Sequence, residues 1–494
     1  MTNNSPASQT EWKVLYAASE ADPLVKVGGL GDVAGSLPNA LKDLSARHLS
    51  KIDIRMVIPF HSVLKEKYPA LEKIASFTVQ NVNGPIPAEA YQLQINGLIY
   101  YLIDGDPVRK TTGVYDTDLE LNGEKYIFFS LALLEMVRKN NWIPDILHAN
   151  DWHTAAAIYA MHTSRHFTSA FFQTKSVLTI HNLPFMGAEA EPALTKYKLT
   201  KCHTSAMPAW GCKQPLPLGI FTANHIVTVS PTYALEIMTP EFGCGLEDLI
   251  KLKKSQVSGI LNGLDTENWD PVADQSIPAQ FSWRTLNLRQ TNKQALLKEF
   301  NLKPDLDLPL FIIVSRLFHQ KGIDLALSAL RNLADHPWQA IILGTGEPNL
   351  EKACRELEKD YPDRVRAAIR FDLALSRRMY AGADMILMPS RYEPCGLSQM
   401  IAMRYGCLPI ARATGGLKDT IIDNPDQQQL NTGFLFEKAH SGELTLAVQR
   451  ALDAYQDKTR WHTMQINGMN QDFSWTRSAL QYAGIYQHLR KDRL

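Results

Sequence analysis

The 494-residue sequence predicts an α/β protein built from two doubly wound, Rossmann-like domains. Three observations carry that expectation. Short apolar runs of strand length alternate with helically spaced amphipathic segments through both halves of the chain, the pattern of parallel sheets with crossover helices. The length exceeds what one core usually organises. Glycine-rich turns stand between a strand and a helix twice, at Lys26-Val27-Gly28-Gly29-Leu30-Gly31-Asp32 and at Arg412-Ala413-Thr414-Gly415-Gly416-Leu417.

In chain order, residues 13–18 read as the first strand and 33–44 as the helix after the glycine turn. Strands are expected at 52–59, 77–82, 90–95 and 98–104, and a helix at 125–139. The strand beginning at 145–148 ends in His148-Ala149-Asn150-Asp151-Trp152-His153, and the strand 176–180 ends in His181-Asn182. Residues 225–229 form another strand, and Ser230-Pro231-Thr232 is a helix start with proline in its first turn. After Asn262-Gly263, the turn-forming stretch 271–278 marks a candidate domain boundary. Beyond it the alternation continues with strands at 310–315, 339–343, 365–371, 384–388 and 408–411. Helices are expected at 324–333, 350–360, 376–381 and from 397, and a last long helix spans 475–490 after a break at 472–474.

Bulk properties narrow the function classes. Lys plus Arg total 51 and Asp plus Glu total 51, so no net field draws the chain to nucleic acid or an anionic membrane. No apolar stretch approaches a membrane span, and the polar start at residues 1–10 lacks the features of a secretory signal, which together point to the cytoplasm. The six cysteines, Cys202, Cys212, Cys244, Cys354, Cys395 and Cys407, show no C-x-x-C spacing. Cys202 and Cys212 are close enough in sequence to bridge, but a cytoplasmic setting argues against it.

Candidate chemistry collects where strands end. The Lys26 turn offers backbone amides, a helix start and a movable cation, which suits phosphate; an ordinary strand-to-helix turn is the plainer alternative. Asp151, His153 and His181 lie at strand ends where open α/β sheets bind ligands, although any one of them alone reads as a hydrogen-bonded structural residue. Arg316 and Lys321 flank the loop after the first strand of the second half and suit the oxygens of a diphosphate, or form a solvated basic loop. Ser390-Arg391-Tyr392-Glu393-Pro394-Cys395-Gly396-Leu397-Ser398 places a carboxylate beside helix-start amides. That combination can hold sugar hydroxyls by both kinds of bond, or Glu393 can be a partner of the helix dipole.

Taken together and in order, the K-x-G-G-L turn, His148 to His153, His181-Asn182, Asn262-Gly263, Arg316 with Lys321, Glu393-Pro394-Cys395-Gly396 and Thr414-Gly415-Gly416-Leu417 closely resemble the bacterial glycogen and plant starch synthases of glycosyltransferase family 5. The resemblance runs from about residue 13 to Asp472-Phe473-Ser474-Trp475. It implies a GT-B enzyme, with two Rossmann-like domains facing each other across a cleft, an acceptor-side domain at 1–265, a nucleotide-sugar domain at 275–470 and a helix at 475–490 crossing back to the first. It implies retaining transfer of glucose from a nucleotide-glucose, usually ADP-glucose, to the non-reducing 4-hydroxyl of an α-1,4-glucan. No cofactor or metal is implied. Carried onto matching positions, the resemblance puts Lys26, Arg316 and Lys321 on the diphosphate, and Glu393 with Cys395, Gly396, Leu397 and Ser398 on the donor glucose. It puts His181, Asp151 and Asn262 around the reacting sugar and Phe371 on the base, with Gly28, Gly29, Asp32, Thr414 and Gly415 in the supporting turns. The Lys26 turn would then act as one wall of the site, engaged when the cleft closes.

The sequence departs from the family pattern on the acceptor side. Where the family has H-N-x-A-Y-Q-G this chain reads His181-Asn182-Leu183-Pro184-Phe185-Met186-Gly187, and a family lysine is missing from the segment containing Pro215-Leu216-Pro217-Leu218-Gly219-Ile220. Phe371 stands where many members have tyrosine, a change that preserves stacking. A GT-B transferase with another donor or acceptor, and a glucan-binding or priming paralogue with little turnover, are the competing readings. A pyridoxal-phosphate-dependent glucan phosphorylase has no matching segment. The sequence leaves the product, soluble glycogen or granular starch, open, and a plant or algal origin would place the chain in the plastid stroma.

Overall fold

The structure is a computed structural model, and it describes residues 12–44, 52–199, 202 and 204–491. The expected reading of residues 1–10 lies outside the described residues. Two compact units divide the chain: residues 1–263 with 475–494, and Leu264–Ser474.

The first unit carries a nine-stranded sheet. Its strands are β1 (Trp12–Ala17), β2 (Ile52–Pro59), β3 (Glu72–Asn81), β4 (Gly84–Ile95), β5 (Leu98–Gly105), β6 (Ile146–Asn150), β7 (Lys175–Ile180), β8 (His225–Thr228) and β9 (Val257–Gly259). Their order is β3-β4-β5-β2-β1-β6-β7-β8-β9. The pairs β3/β4 and β4/β5 are antiparallel and all others are parallel. Strand order reverses between β1 and β6, which opens a crevice at their carboxyl ends. Val14, Tyr16, Met56 and Ile58 are buried in the core on one face of the sheet. Trp475, Ala479, Tyr482, Ala483 and Tyr486 join that core as one stripe of the helix Trp475–Lys491, at the three-and-four spacing that keeps a helical face apolar.

The second unit carries an all-parallel sheet of β10 (Leu310–Val314), β11 (Gln339–Leu343), β12 (Val365–Ala368), β13 (Met385–Met388), β14 (Leu408–Arg412) and β15 (Phe434–Phe436) in the order β12-β11-β10-β13-β14-β15. Its inner strands β10, β11 and β13 are mostly apolar and buried, as in parallel sheets covered on both faces. Here the switch point lies between β10 and β13. The sequence reading contained neither β9 and β15 nor the helices Ser441–Gln456 and Lys458–Met469.

The stretch 271–278 is not where the chain divides. It lies inside the second unit, where buried Asp274 accepts hydrogen bonds from Tyr405 Oη at 2.5 Å and Arg377 Nη1 at 3.0 Å. Its turn formers follow a fixed path because their polar groups are satisfied within that unit. The chain instead leaves the first unit after Gly263, whose packing against Trp475 leaves no room for a Cβ.

Candidate active site

In the first unit, β1 is followed by the glycine turn, β6 by Asp151, β7 by His181 and Asn182, and β9 by Asn262. All four strands end at the same edge of the parallel part of the sheet. The turn itself is less open than its glycines imply. Glu20, buried just after β1, accepts hydrogen bonds from the amides of Val27 and Gly28 and from Tyr115 Oη at 3.0 Å. Burial raises the Glu20 pKa, and these three donors oppose the shift. Two amides expected to face a phosphate are therefore held by a carboxylate of the chain. The helix Gly29–Asp43 begins inside the turn, and Lys26 pairs with Asp32 at 2.5 Å.

Asp151 opens the helix Asp151–Thr163 with φ of 53°, a left-handed conformation uncommon for a residue with a Cβ. Its carboxylate accepts from the His181 amide at 2.7 Å. Burial pushes its pKa up to about 7, against the lowering effect of the His181 and Asn182 amides. His181 Nε2 shares a hydrogen bond with Asn150 Oδ1 at 2.9 Å, and burial lowers its pKa to about 3, so the ring is neutral at neutral pH. Asn150 is fixed in turn by Tyr16 Oη at 3.1 Å and the Ala17 carbonyl at 2.9 Å. Asn182 Oδ1 and Asn262 Oδ1 are buried with no hydrogen-bond partner among the described residues, as is His153 Nδ1. Buried polar atoms are normally paired, so these three stand out among the described residues. His148, by contrast, is fully satisfied by Tyr486 Oη at 2.6 Å and Thr179 Oγ1 at 2.7 Å and serves the core.

In the second unit the switch point gathers the loops after β10 and β13. Lys321 Nζ donates to Glu393 Oε2 at 2.6 Å, with side-chain exposures of 19% and 7%, and Ser390 Oγ donates to the same oxygen at 2.9 Å. Arg391 stitches the two loops together, gripping Asp324 through both terminal nitrogens at 2.8 and 2.7 Å and reaching the His319 carbonyl at 2.8 Å. Arg412 contacts the Arg391 carbonyl and donates to the Glu437 carbonyl at 2.9 Å. Arg316 is exposed, its guanidinium 5.2 Å from the centre of the Phe318 ring. The helix Ser398–Arg404 opens with no side-chain cap from Leu397, at the end where a helix has amides without intrahelical partners. Gln399 Nε2 holds the carbonyls of Cys395 and Gly396, each at 3.0 Å.

After β14, buried Thr414 precedes Gly415, whose φ is 45° and where a Cβ would overlap the Glu393 carbonyl oxygen. Phe371 follows β12 and is 88% exposed. The second-unit candidates thus follow the carboxyl ends of β10, β12, β13 and β14, as the first-unit candidates follow β1, β6, β7 and β9. Glu20 and Tyr115 are the site-forming residues that motif reading missed. Among the described residues, no group of three or more His, Cys, Asp or Glu side chains has the arrangement of a metal site, and no helix is long and apolar enough to cross a membrane. All six cysteines are free.

Comparisons with known proteins agree with this architecture. Residues 13–252 match the family profile described as "Starch synthase catalytic domain", and residues 297–465 match "Glycosyl transferases group 1". A glycogen synthase of Lactococcus lactis is 40% identical over 485 residues, covering 97% of this chain and 100% of that one. A glycogen synthase of Clostridium perfringens is 38% identical over 486 residues, covering 97% and 98%. The catalytic domain of starch synthase IV from Arabidopsis thaliana, bound to ADP and acarbose, superposes with a TM-score of 0.83 at 30% identity, covering 97% of this chain and 99% of that one. With its parallel sheets, strand-end clusters and full-length relatives of this kind, the chain belongs to the glycogen and starch synthase family of GT-B glycosyltransferases.

Proposed function

We propose that the chain transfers glucose from ADP-glucose to the non-reducing 4-hydroxyl of an α-1,4-glucan with retention of anomeric configuration. The observation that carries this reading is the Lys321–Glu393 pair at the switch point of the second unit, beside the uncapped helix start. Departure of a nucleoside diphosphate is limited by charge accumulating on phosphate oxygens, and fixed cations offset that charge without reorganising. Lys321, already desolvated against Glu393, is such a cation, and Arg316 is a second. Glu393 and the amides of residues 395–398 hold the glucose hydroxyls, and Phe371 offers an exposed ring for the base. The ADP bound to the Arabidopsis relative favours adenine as that base.

The first unit supplies the acceptor half. Asp151, His181 and the orphaned oxygens of Asn182 and Asn262 present acceptors and a neutral imidazole to sugar hydroxyls. For retention, one route needs a carboxylate nucleophile and the other is same-face attack within a short-lived ion pair. The carboxylates here favour the second route. Glu393 Oε2 is committed to Lys321 and Ser390, and Asp151 is held by backbone amides with its pKa near 7. In this route the C1–O bond to the diphosphate breaks, the acceptor 4-oxygen forms the new bond on the same face, and the departing phosphate oxygen takes the acceptor's proton.

The test is to incubate the protein with ADP-glucose or UDP-glucose, each with glycogen, maltooligosaccharide or no acceptor, and to measure diphosphate release and chain extension. Extension with ADP-glucose and an acceptor is expected. No extension with either donor would overturn the synthase reading.

A further inference from the structure

The helix Gly29–Asp43 begins in a turn whose glycines are not equivalent. A Cβ at Gly31 would lie 2.9 Å from Lys26 Cγ and 3.0 Å from Glu20 Oε2, and one at Gly28 would lie 3.5 Å from Glu20 Oε1. At Gly29 a Cβ would meet nothing within 4 Å. Two of these positions are thus packed on Glu20, and the side of the turn at Gly29 is open.

Glu20 makes that difference. It is 1% exposed, and its Oε2 accepts from both the Val27 and the Gly28 amides, the second at 3.1 Å, while Oε1 accepts from Tyr115 Oη at 3.0 Å. A buried carboxylate on neutral donors is a costly way to close a turn, since a neutral side-chain oxygen would satisfy the same N–H groups without desolvating a charge. It also stands beside the segment proposed to meet the donor's phosphates, where its charge is repulsive. What it supplies is grip, because hydrogen bonds to an ionised acceptor are about twice as strong as neutral ones.

Behind Glu20 a brace runs back into the unit. Tyr115 Oη also pairs with Ser19 Oγ at 3.1 Å, and the Ser19 carbonyl accepts from His61 Nε2 at 2.8 Å. The carbonyl just before Tyr115, that of Val114, accepts from Lys125 Nζ at 2.6 Å and from Tyr126 Oη at 2.5 Å. Lys125, fully buried on the helix Leu119–Lys139, reaches the Gly113 carbonyl as well, at 3.0 Å. A buried cation thus fixes the loop that carries Tyr115, and Tyr115 steadies a carboxylate 95 residues away in sequence.

We propose that Glu20 is a positioning residue of the glucosyl transfer. It does not touch substrate. It pins the Val27 and Gly28 amides so that the turn presents Lys26 and its open side at Gly29 to the donor, and the brace through Tyr115 to Lys125 sets its own place. The proposal rests on the synthase reading above.

The test uses the full-length protein with ADP as the probe. Wild type, Glu20→Ala, Glu20→Gln and Tyr115→Phe are compared for ADP affinity by calorimetry, for kcat and the KM values of ADP-glucose and maltoheptaose, and for hydrogen exchange of the peptide spanning residues 21–31. Glu20→Ala is expected to weaken ADP binding and raise the ADP-glucose KM, each about tenfold, and to speed exchange in that peptide, with the maltoheptaose KM changed less than about twofold. Glu20→Gln, whose amide oxygen can accept from both N–H groups, is expected to bring ADP affinity and exchange back to within about threefold of wild type. Tyr115→Phe keeps the ring and removes only the hydroxyl; it is expected to weaken ADP about threefold, and it carries the test if Glu20→Ala does not fold. Unchanged ADP affinity in Glu20→Ala or, where that variant does not fold, in Tyr115→Phe would overturn the proposal. So would a Glu20→Gln variant as impaired as Glu20→Ala, which would make the negative charge itself the working part. Equal losses for ADP-glucose and maltoheptaose would overturn it too, since Glu20 would then be a strut of the whole unit. A protein that extends no glucan yet shows the ADP loss in Glu20→Ala and its recovery in Glu20→Gln would instead overturn the synthase reading and leave the role of Glu20 standing.

Discussion

The candidate clusters of the two units are assembled by opposite electrostatic strategies. In the first unit the polar groups are buried with little counter-charge: Asp151 and Glu20 rest on backbone amides and a tyrosine, and His181 is kept neutral. In the second, charges are matched before any ligand arrives, with Lys321 on Glu393 and Arg391 on Asp324. The contrast fits the division of substrates proposed above. A neutral glucan end calls for hydrogen-bonding groups of adjustable charge, whereas a diphosphate calls for cations already desolvated and aimed. It also tells where each cluster is fragile, because the first responds to a change of protonation and the second to an unpaired charge.

The largest expected effect lies in the second half. Arg316→Ala and Lys321→Ala should each lower kcat for glucosyl transfer by about 10²–10³-fold, and the double variant by about 10⁴-fold or more, the scale on which fixed oxyanion donors act. Glycogen co-sedimentation should be nearly unaffected by either. Lys321→Ala should in addition lower the melting temperature, since it leaves Glu393 buried with only Ser390 against it. Near-normal turnover in both single variants would break the assignment of the diphosphate to this unit.

The first half should reveal itself through pH. The Asp151 pKa is about 7 in the folded protein against an ordinary 3.8, so between about pH 4 and 7 the native state retains a proton that the unfolded chain has released. Stability from this group is therefore lost as pH rises through that window. The buried histidines act in the other direction: His61, His148 and His181, with pKa values lowered to about 3, cost stability as pH falls below about 6.5. Comparing Asp151→Asn with wild type cancels the histidine contribution. The variant's advantage in urea unfolding should grow by about 3–4 kcal/mol from pH 4.5 to 8. A difference that does not change with pH would show that Asp151 is ionised throughout.

A smaller, purely steric effect is expected at Gly415. Its left-handed backbone and its contact with the Glu393 carbonyl mean that Gly415→Ala should destabilise the second unit by about 1–3 kcal/mol, read as a lower urea midpoint. It should also reduce turnover, because the displaced carbonyl belongs to the residue that pairs with Lys321. An unchanged midpoint would mean that the turn relaxes freely and is no part of the rigid donor half.

How far these features were legible in sequence depended on whether they were local. Most strands of both sheets were readable because each is an apolar run closed by turn formers, and the helix start at Ser230, which caps Tyr233, followed from the Ser-Pro pair. β9 and β15 are each only three residues long and escaped. The turn-rich stretch 271–278 misled because composition records a tendency to turn, whereas Asp274 finds its partners 103 and 131 residues away. Glu20 escaped for the same reason. A lone glutamate ahead of a glycine turn has no periodicity to mark it, and its partner Tyr115 lies 95 residues distant. The local clue, an acidic residue in the loop just before two glycine amides, was present but carried no spacing rule.

Glu20 also sets the smallest and most discriminating expectation, at Lys26. With the Val27 and Gly28 amides already engaged by that carboxylate, the glycine turn has only Lys26 and its remaining amides to offer a phosphate. Lys26 is bound to Asp32 in a half-exposed pair, with side-chain exposures of 45% and 35%. Such pairs contribute about 0–1 kcal/mol, so exchanging Asp32 for a phosphate oxygen costs little and leaves the fold untouched. Lys26→Ala should therefore leave the melting temperature within about 1 °C while raising the ADP-glucose KM several-fold, an effect that weakens with added salt. Asp32→Asn frees the lysine and should move the KM in the opposite direction. If neither variant alters donor affinity or turnover, the turn is scaffold, and the donor's charge is met entirely by Arg316 and Lys321.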